Sequence, residues 1–157
     1  MFLDLLDGLF LKCNIFTQNA ENFLAALKTA LMHTKEKNPN AKYLLILHSK
    51  ATLVAEAAIK KLTPEEKTML EVLALAPANI LEKDLCSHVE NIISRWDGIP
   101  LQNFIPLLQY LLQEDPHIHF VPAKDGFPFG DHVFSSKTYQ AELKSYLEDF
   151  LRRQNVQ

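Results

Sequence analysis

The sequence predicts an α/β fold, with about four parallel strands and flanking helices in a single domain. Two observations carry this. Short apolar runs of strand length, "YLLIL" at Tyr43–Leu47 and "MLEVLALA" at Met69–Ala76, lack the clean alternation of a sheet with one wet face and suit strands covered on both faces. Segments with helical spacing of apolar residues separate the strands, and that alternation favours a parallel sheet with crossover connections. Composition permits it: 157 residues, 48% hydrophobic and 22% charged, are ordinary for a globular domain. A chain of this length buries roughly 70% of its unfolded surface.

The elements follow in order. "MFLDLLDGLFLKCNIF" at Met1–Phe16 reads as an N-terminal helical segment. It carries Asp4 and Asp7 and lacks a basic start and a small-residue cleavage site, so it is not read as a secretory leader. Thr17 to about Lys37 is a long helix with Ala25, Ala26, Leu27, Ala30 and Leu31 as strong helix formers. "EKNPNAK", with Pro39 between two asparagines, ends it. Tyr43–Leu47 is the first strand, and a helix with Leu53, Val54, Ala57, Ala58 and Leu62 on one side follows from about Lys50 to Leu62. "TPEE" at Thr63–Glu66 caps a short helical turn with proline at its first position. Met69–Ala76 is the second strand, "PANILEKDLCSH" a connection with one helical turn, and Val89–Ser94 the third strand. Leu101–Gln113 is a helix with Pro106 near its start. "HIHFVPA", between Pro116 and its own Pro122, is the fourth strand. After the loop "KDGFPFGDH", Ser136 to about Arg153 is an amphipathic helix with Tyr139, Leu143, Tyr146, Leu147 and Phe150 on one face.

Several function classes recede on these numbers. Net charge is −3 and the 16 Lys and Arg residues are scattered, which argues against a nucleic-acid partner. No apolar run is long enough for a transmembrane span. Without a targeting signal, the cytoplasm is the default expectation for localisation. Cys13 and Cys86 lie far apart with no metal spacing and read as buried free thiols. His117 and His119 flank one residue and would share a strand face, but no third ligand accompanies them. Neither a metal nor a cofactor is expected.

Parallel sheets gather their sites at the carboxyl ends of the strands. His48-Ser49-Lys50 follows the first strand, Arg95-Trp96-Asp97-Gly98 the third, and Asp131-His132 the fourth after a loop. A hydroxyl, a carboxyl and an imidazole in the order Ser49, Asp97, His132 are the parts of a nucleophile with its base and the acid that orients the base. A strand that turns into a helix at a serine also aims backbone N–H groups where an oxyanion would form. Plainer roles exist for each residue. Ser49 suffices as a helix N-cap, Asp97 as the opener of the turn "WDGIP", and His132 as a loop histidine bonded to Asp131. Trp96, Phe127 and Phe129 either line a pocket or cover the sheet.

The ordered set of a strand with His48-Ser49, a strand end "LALAPA", a strand end "SRWDGIP" and a loop "GDHVFSSKTY" resembles the C-terminal half of the α/β-hydrolase superfamily. Within it, the chain is most similar to a group of chlamydial hydrolase-like proteins. Those carry a His-Ser-Gln-Gly elbow, an Ala-Pro-Ala strand end, an Arg-Asp-x-Val-Pro acid turn and an Asp-His-x-Phe-x-Ser histidine loop. The likeness runs from about Asn22 to Phe150. It implies a truncated hydrolase-like core, a serine esterase or lipase type of activity on an acyl substrate, Ser49 as nucleophile, Asp97 as acid and His132 as base. Lys50 would lend its backbone N–H to an oxyanion hole.

Two departures shape the expectations. The elbow of the superfamily has small residues two positions either side of the serine, and here Leu47 and Ala51 stand there. Leu47 is expected to crowd the turn and widen it. The strands that precede the nucleophile strand, one of whose loops supplies a second oxyanion donor, have no counterpart before Tyr43. Tyr43–Leu47 is then expected at a sheet edge, to be covered by Met1–Phe16, by a partner protein or by a second copy. The competing function is a catalytically inactive, truncated remnant or interaction domain.

Overall fold

The computed structural model describes residues 17–97, 116–124 and 130–155. The expected helices at Met1–Phe16 and Leu101–Gln113, together with Cys13, Phe127 and Phe129, lie outside the described residues. Helix α1 spans Gln18–Lys37, strand β1 Tyr43–His48, helix α2 Ala51–Ile59, helix α3 Pro64–Thr68, strand β2 Leu70–Leu75, strand β3 His88–Ser94, strand β4 Ile118–Val121 and helix α4 Lys137–Asn155. A short 3-10 turn, Gly130–His132, precedes α4.

Local chemistry explains the boundaries. Thr17 starts α1 by accepting a hydrogen bond from the Ala20 N–H on its side chain, the usual N-cap arrangement. Thr63 and Glu66 form a reciprocal capping box around α3, with Pro64 in the first turn. The segment from Ala76 to Ser87 holds no helix, contrary to the expected helical turn. Asn91 from β3 pins it instead. Its buried side chain accepts from the Leu81 N–H and donates to the Leu81 carbonyl, both at 3.0 Å. A sequence pattern cannot reveal that long-range substitute for helix formation.

The four strands form one sheet in the order β1-β2-β3-β4, and every neighbouring pair is parallel. The α/β fold is therefore present. β2 lies inside the sheet and all six of its residues are buried, as the unalternated apolar run requires. Successive side chains serve opposite faces. Leu70, Val72 and Ala74 pack with Leu27 and Leu31 of α1 and with Ala55 and Ile59 of α2. Leu73 and Leu75 pack with Tyr139 of α4. Helices thus cover both faces. Among the described residues β1 and β4 are the edge strands, and Ile46 on β1 is exposed. No helix there is long and apolar enough to cross a membrane.

Candidate active site

The β1–α2 junction has the conformation of a strained elbow. Ser49 sits at φ 53°, one of two non-glycine residues with positive φ among the described residues, the other being Ala76 at the end of β2. A side chain with a Cβ pays for that region and persists there only when its surroundings over-determine it. They do so at Ser49. Its carbonyl accepts from the Thr52 N–H at 3.1 Å, the Thr52 hydroxyl at 2.8 Å and the Ala78 N–H at 3.2 Å, while its N–H continues the ladder to the Leu75 carbonyl at 3.2 Å. Thr52 is itself held, accepting from the Asn79 N–H at 3.2 Å. The end of β2 therefore braces the turn at the end of β1.

Leu47 is accommodated in the core beside this turn. It is 3% exposed and lies in the core beneath α1 and α2, in a cluster that includes Ala55. Ser49 is also not the N-cap of α2. That position is Lys50, and no side chain caps the helix. The Ser49 hydroxyl instead lies 2.9 Å from His132 Nε2.

His132 is delivered by the 3-10 turn before α4. Its Nδ1 lies 2.9 and 3.0 Å from the two carboxyl oxygens of Asp97. Asp97 is reached by a tight turn out of β3, with its N–H donating to the Ser94 carbonyl at 3.1 Å. A carboxylate only accepts, so Nδ1 carries the proton and Nε2 is left to accept from Ser49. Asp97 is fully buried and the His132 side chain is 16% exposed. Ser49, Asp97 and His132 thus meet in one hydrogen-bonded chain, although residues 83 and 35 positions apart supply its two links. Among the described residues the Lys50 N–H has no hydrogen-bond partner, and it lies next to Ser49 in the chain.

Three further residues hold this chain in place, His48 and Asp131 beside the expected site residues and Tyr139, which the sequence placed only on the apolar face of a helix. His48 Nε2 donates to the His132 carbonyl at 2.6 Å, and its ring packs against those of His132 and Phe134. Burial lowers the His48 pKa from its ordinary value, against a raising effect of that same hydrogen bond. Asp131 does not pair with His132. It is fully buried and accepts from the Ser94 hydroxyl and, at 2.6 Å, from the Thr138 hydroxyl, which ties the histidine turn to the end of β3 and the start of α4. Tyr139 is fully buried. Its hydroxyl accepts from the Ser94 N–H at 3.0 Å and donates to Asp97 Oδ2 at 2.8 Å. Burial, with Asp97 close by, pushes its phenol well above the ordinary value, so it keeps its proton.

His117 and His119 do not share a site. His117 is buried with its Nε2 3.1 Å from the Leu81 carbonyl, because β4 starts only at Ile118. His119 is exposed and bonded to Glu90. Among the described residues no group of three metal-ligating side chains converges. Trp96 is exposed rather than laid over the sheet. Cys86 is a free thiol, half-buried, and burial pushes it up to about 11.

No protein-family model, curated protein or solved structure matches this chain.

Proposed function

We propose that the chain is a serine hydrolase of the esterase or lipase type, built on a half-sheet related to the α/β-hydrolases. The observation that carries this is the continuous hydrogen-bonded path from the Ser49 hydroxyl through both nitrogens of His132 to the buried Asp97. Three plain structural roles were open to these residues, and none of them requires that path.

The reaction follows from the donors and acceptors. Ser49 Oγ attacks the carbonyl carbon of an ester while its proton passes to His132 Nε2. Asp97 holds Nδ1–H and stabilises the imidazolium that forms. The negative charge on the carbonyl oxygen falls to the Lys50 N–H. His132 then protonates the leaving alcohol, and an acyl group remains on Ser49. Water, deprotonated by His132, attacks the acyl carbon, and the acid leaves as Ser49 Oγ regains its proton.

A second reading, an inactive remnant or interaction domain, is favoured by one observation. No strand among the described residues precedes β1, and in the resembled superfamily a loop before that strand carries the second oxyanion donor. Loss of one such donor typically costs about 10²–10³ in turnover. The two readings separate in one experiment, fluorophosphonate labelling of the folded protein located by mass spectrometry. Stoichiometric labelling at Ser49, absent in Ser49→Ala and His132→Ala, supports an activated nucleophile. No labelling of the folded protein overturns it in favour of the remnant.

A further inference from the structure

The buried phenol of Tyr139 has one proton and two polar neighbours. The Ser94 N–H can only donate, so the Tyr139 oxygen must accept from it at 3.0 Å. The single O–H is then committed to Asp97 Oδ2 at 2.8 Å. The same Oδ2 stands 2.9 Å from His132 Nδ1 and Oδ1 stands 3.0 Å from it, so the imidazole alone does not choose between the two oxygens. The tyrosine does choose. It holds Oδ2 and thereby resists rotation of the carboxyl plane against which the imidazole is set.

The surroundings suit that task. Tyr139 lies near the start of α4, and its N–H donates to the Ser136 hydroxyl at 3.3 Å. The preceding residue, Thr138, is tied to Asp131 in the histidine turn. One helix start therefore anchors the turn that carries His132 and the acid that faces it. Tyr139 and Asp97 are both fully buried, so water cannot replace the phenol as donor without opening the core.

From this geometry we infer that Tyr139 is a positioning residue of the proposed hydrolase, whose hydroxyl orients Asp97 and through it His132. The inference rests on the reading of Ser49, Asp97 and His132 as a working triad, and its first readout needs no turnover. That readout is the low-field proton resonance of the His132 Nδ1–H in the resting protein. In Tyr139→Phe, this resonance shifts or broadens at constant pH, kcat for an activated ester falls about tenfold, and KM stays within about twofold. Leu143→Ala, which trims the same face of α4 at a residue packed in the same cluster, serves as a destabilised control and leaves the resonance and kcat in place. A folded Tyr139→Phe protein with an unchanged resonance overturns the inference. Equal effects of Leu143→Ala also overturn it, because the role would then be structural. If the phenylalanine variant does not fold, 3-fluorotyrosine at position 139 keeps the ring and hydroxyl but makes a stronger donor. The resonance must move, and no movement overturns the inference. Failure of Ser49 to label in the wild-type protein is a separate result and sinks the triad reading instead.

Discussion

The two ends of the sheet carry the same chemical pieces to different effect. At the carboxyl end, His132 faces Asp97, which is fully buried and receives a third group, the Tyr139 hydroxyl. Toward the amino ends of β3 and β4, His88 and His119 both contact Glu90, and Glu90 and His119 line a cleft together with Tyr146 and Arg153. The Glu90 side chain is 18% exposed, and those histidines are 41% and 46% exposed. Imidazole and carboxyl groups are in contact at both ends. Exposed ion pairs contribute about 0–1 kcal/mol, whereas removing one member of a buried pair costs about 3–5 kcal/mol. Burial and anchoring separate a positioned group from a solvated one, and residue type does not.

The largest expected effect comes from breaking the anchored end. Asp97→Asn keeps the shape but can present an amide N–H to His132 and favours the wrong imidazole tautomer. Turnover of an activated ester should fall by about 10⁴, with Ser49 labelling slowed in parallel. A loss of less than about tenfold would mean that the buried pair is structural, and the contrast between the two ends would lose its functional meaning.

The legible part of this architecture was the part written in local pattern. The unalternated run at Met69–Ala76 marked a strand buried on both faces, and β2 is that strand. The polar residues after strands one, three and four pointed to Ser49, Asp97 and His132, which do come together. What sequence could not supply was long-range pairing. Asp131 is adjacent to His132, so a local pairing was the obvious guess, yet its carboxyl bonds Ser94 and Thr138. Tyr139 looked like one more apolar-face residue of a helix, because nothing in an amphipathic stripe reports where a phenol oxygen ends. His117 and His119 misled through strand parity, which fails when the strand begins one residue late. The one signal that was available for the elbow and passed over is Thr52, three residues after Ser49, at the spacing that lets a hydroxyl return to the serine carbonyl.

Leu47 sharpens the comparison from the packing side. By the superfamily pattern, a small residue there would relieve crowding and improve the site. Here Leu47 is 3% exposed in the core that α1 and α2 close, so its truncation empties space under the elbow. Leu47→Ala should destabilise the protein by about 2–5 kcal/mol in denaturant unfolding and should not raise turnover. A gain in turnover at little cost in stability would show that the turn was crowded after all.

The smallest effect is expected at the open end, and it is the one that tests whether the ends are independent. Glu90→Gln keeps the shape of the side chain and removes the charge that His88 and His119 face. Both histidines are well exposed and regain water when the partner is lost, so the change should stay within about 1 kcal/mol. For a chain of this size that is a shift of about 2–4 °C in Tm. It should shrink further as salt is raised, because water and ions reach the pair. Turnover and Ser49 labelling should stay within about twofold of wild type. Nearby Glu71 is only 8% exposed and is held by Arg153 at 2.8 Å, so a larger loss of stability that persists in high salt would mean that Glu90 is coupled to that buried carboxyl. A tenfold loss of turnover would go further, since it requires β3 to transmit the change from Glu90 to the turn that holds Asp97, and the two ends would then have to be treated as one coupled unit.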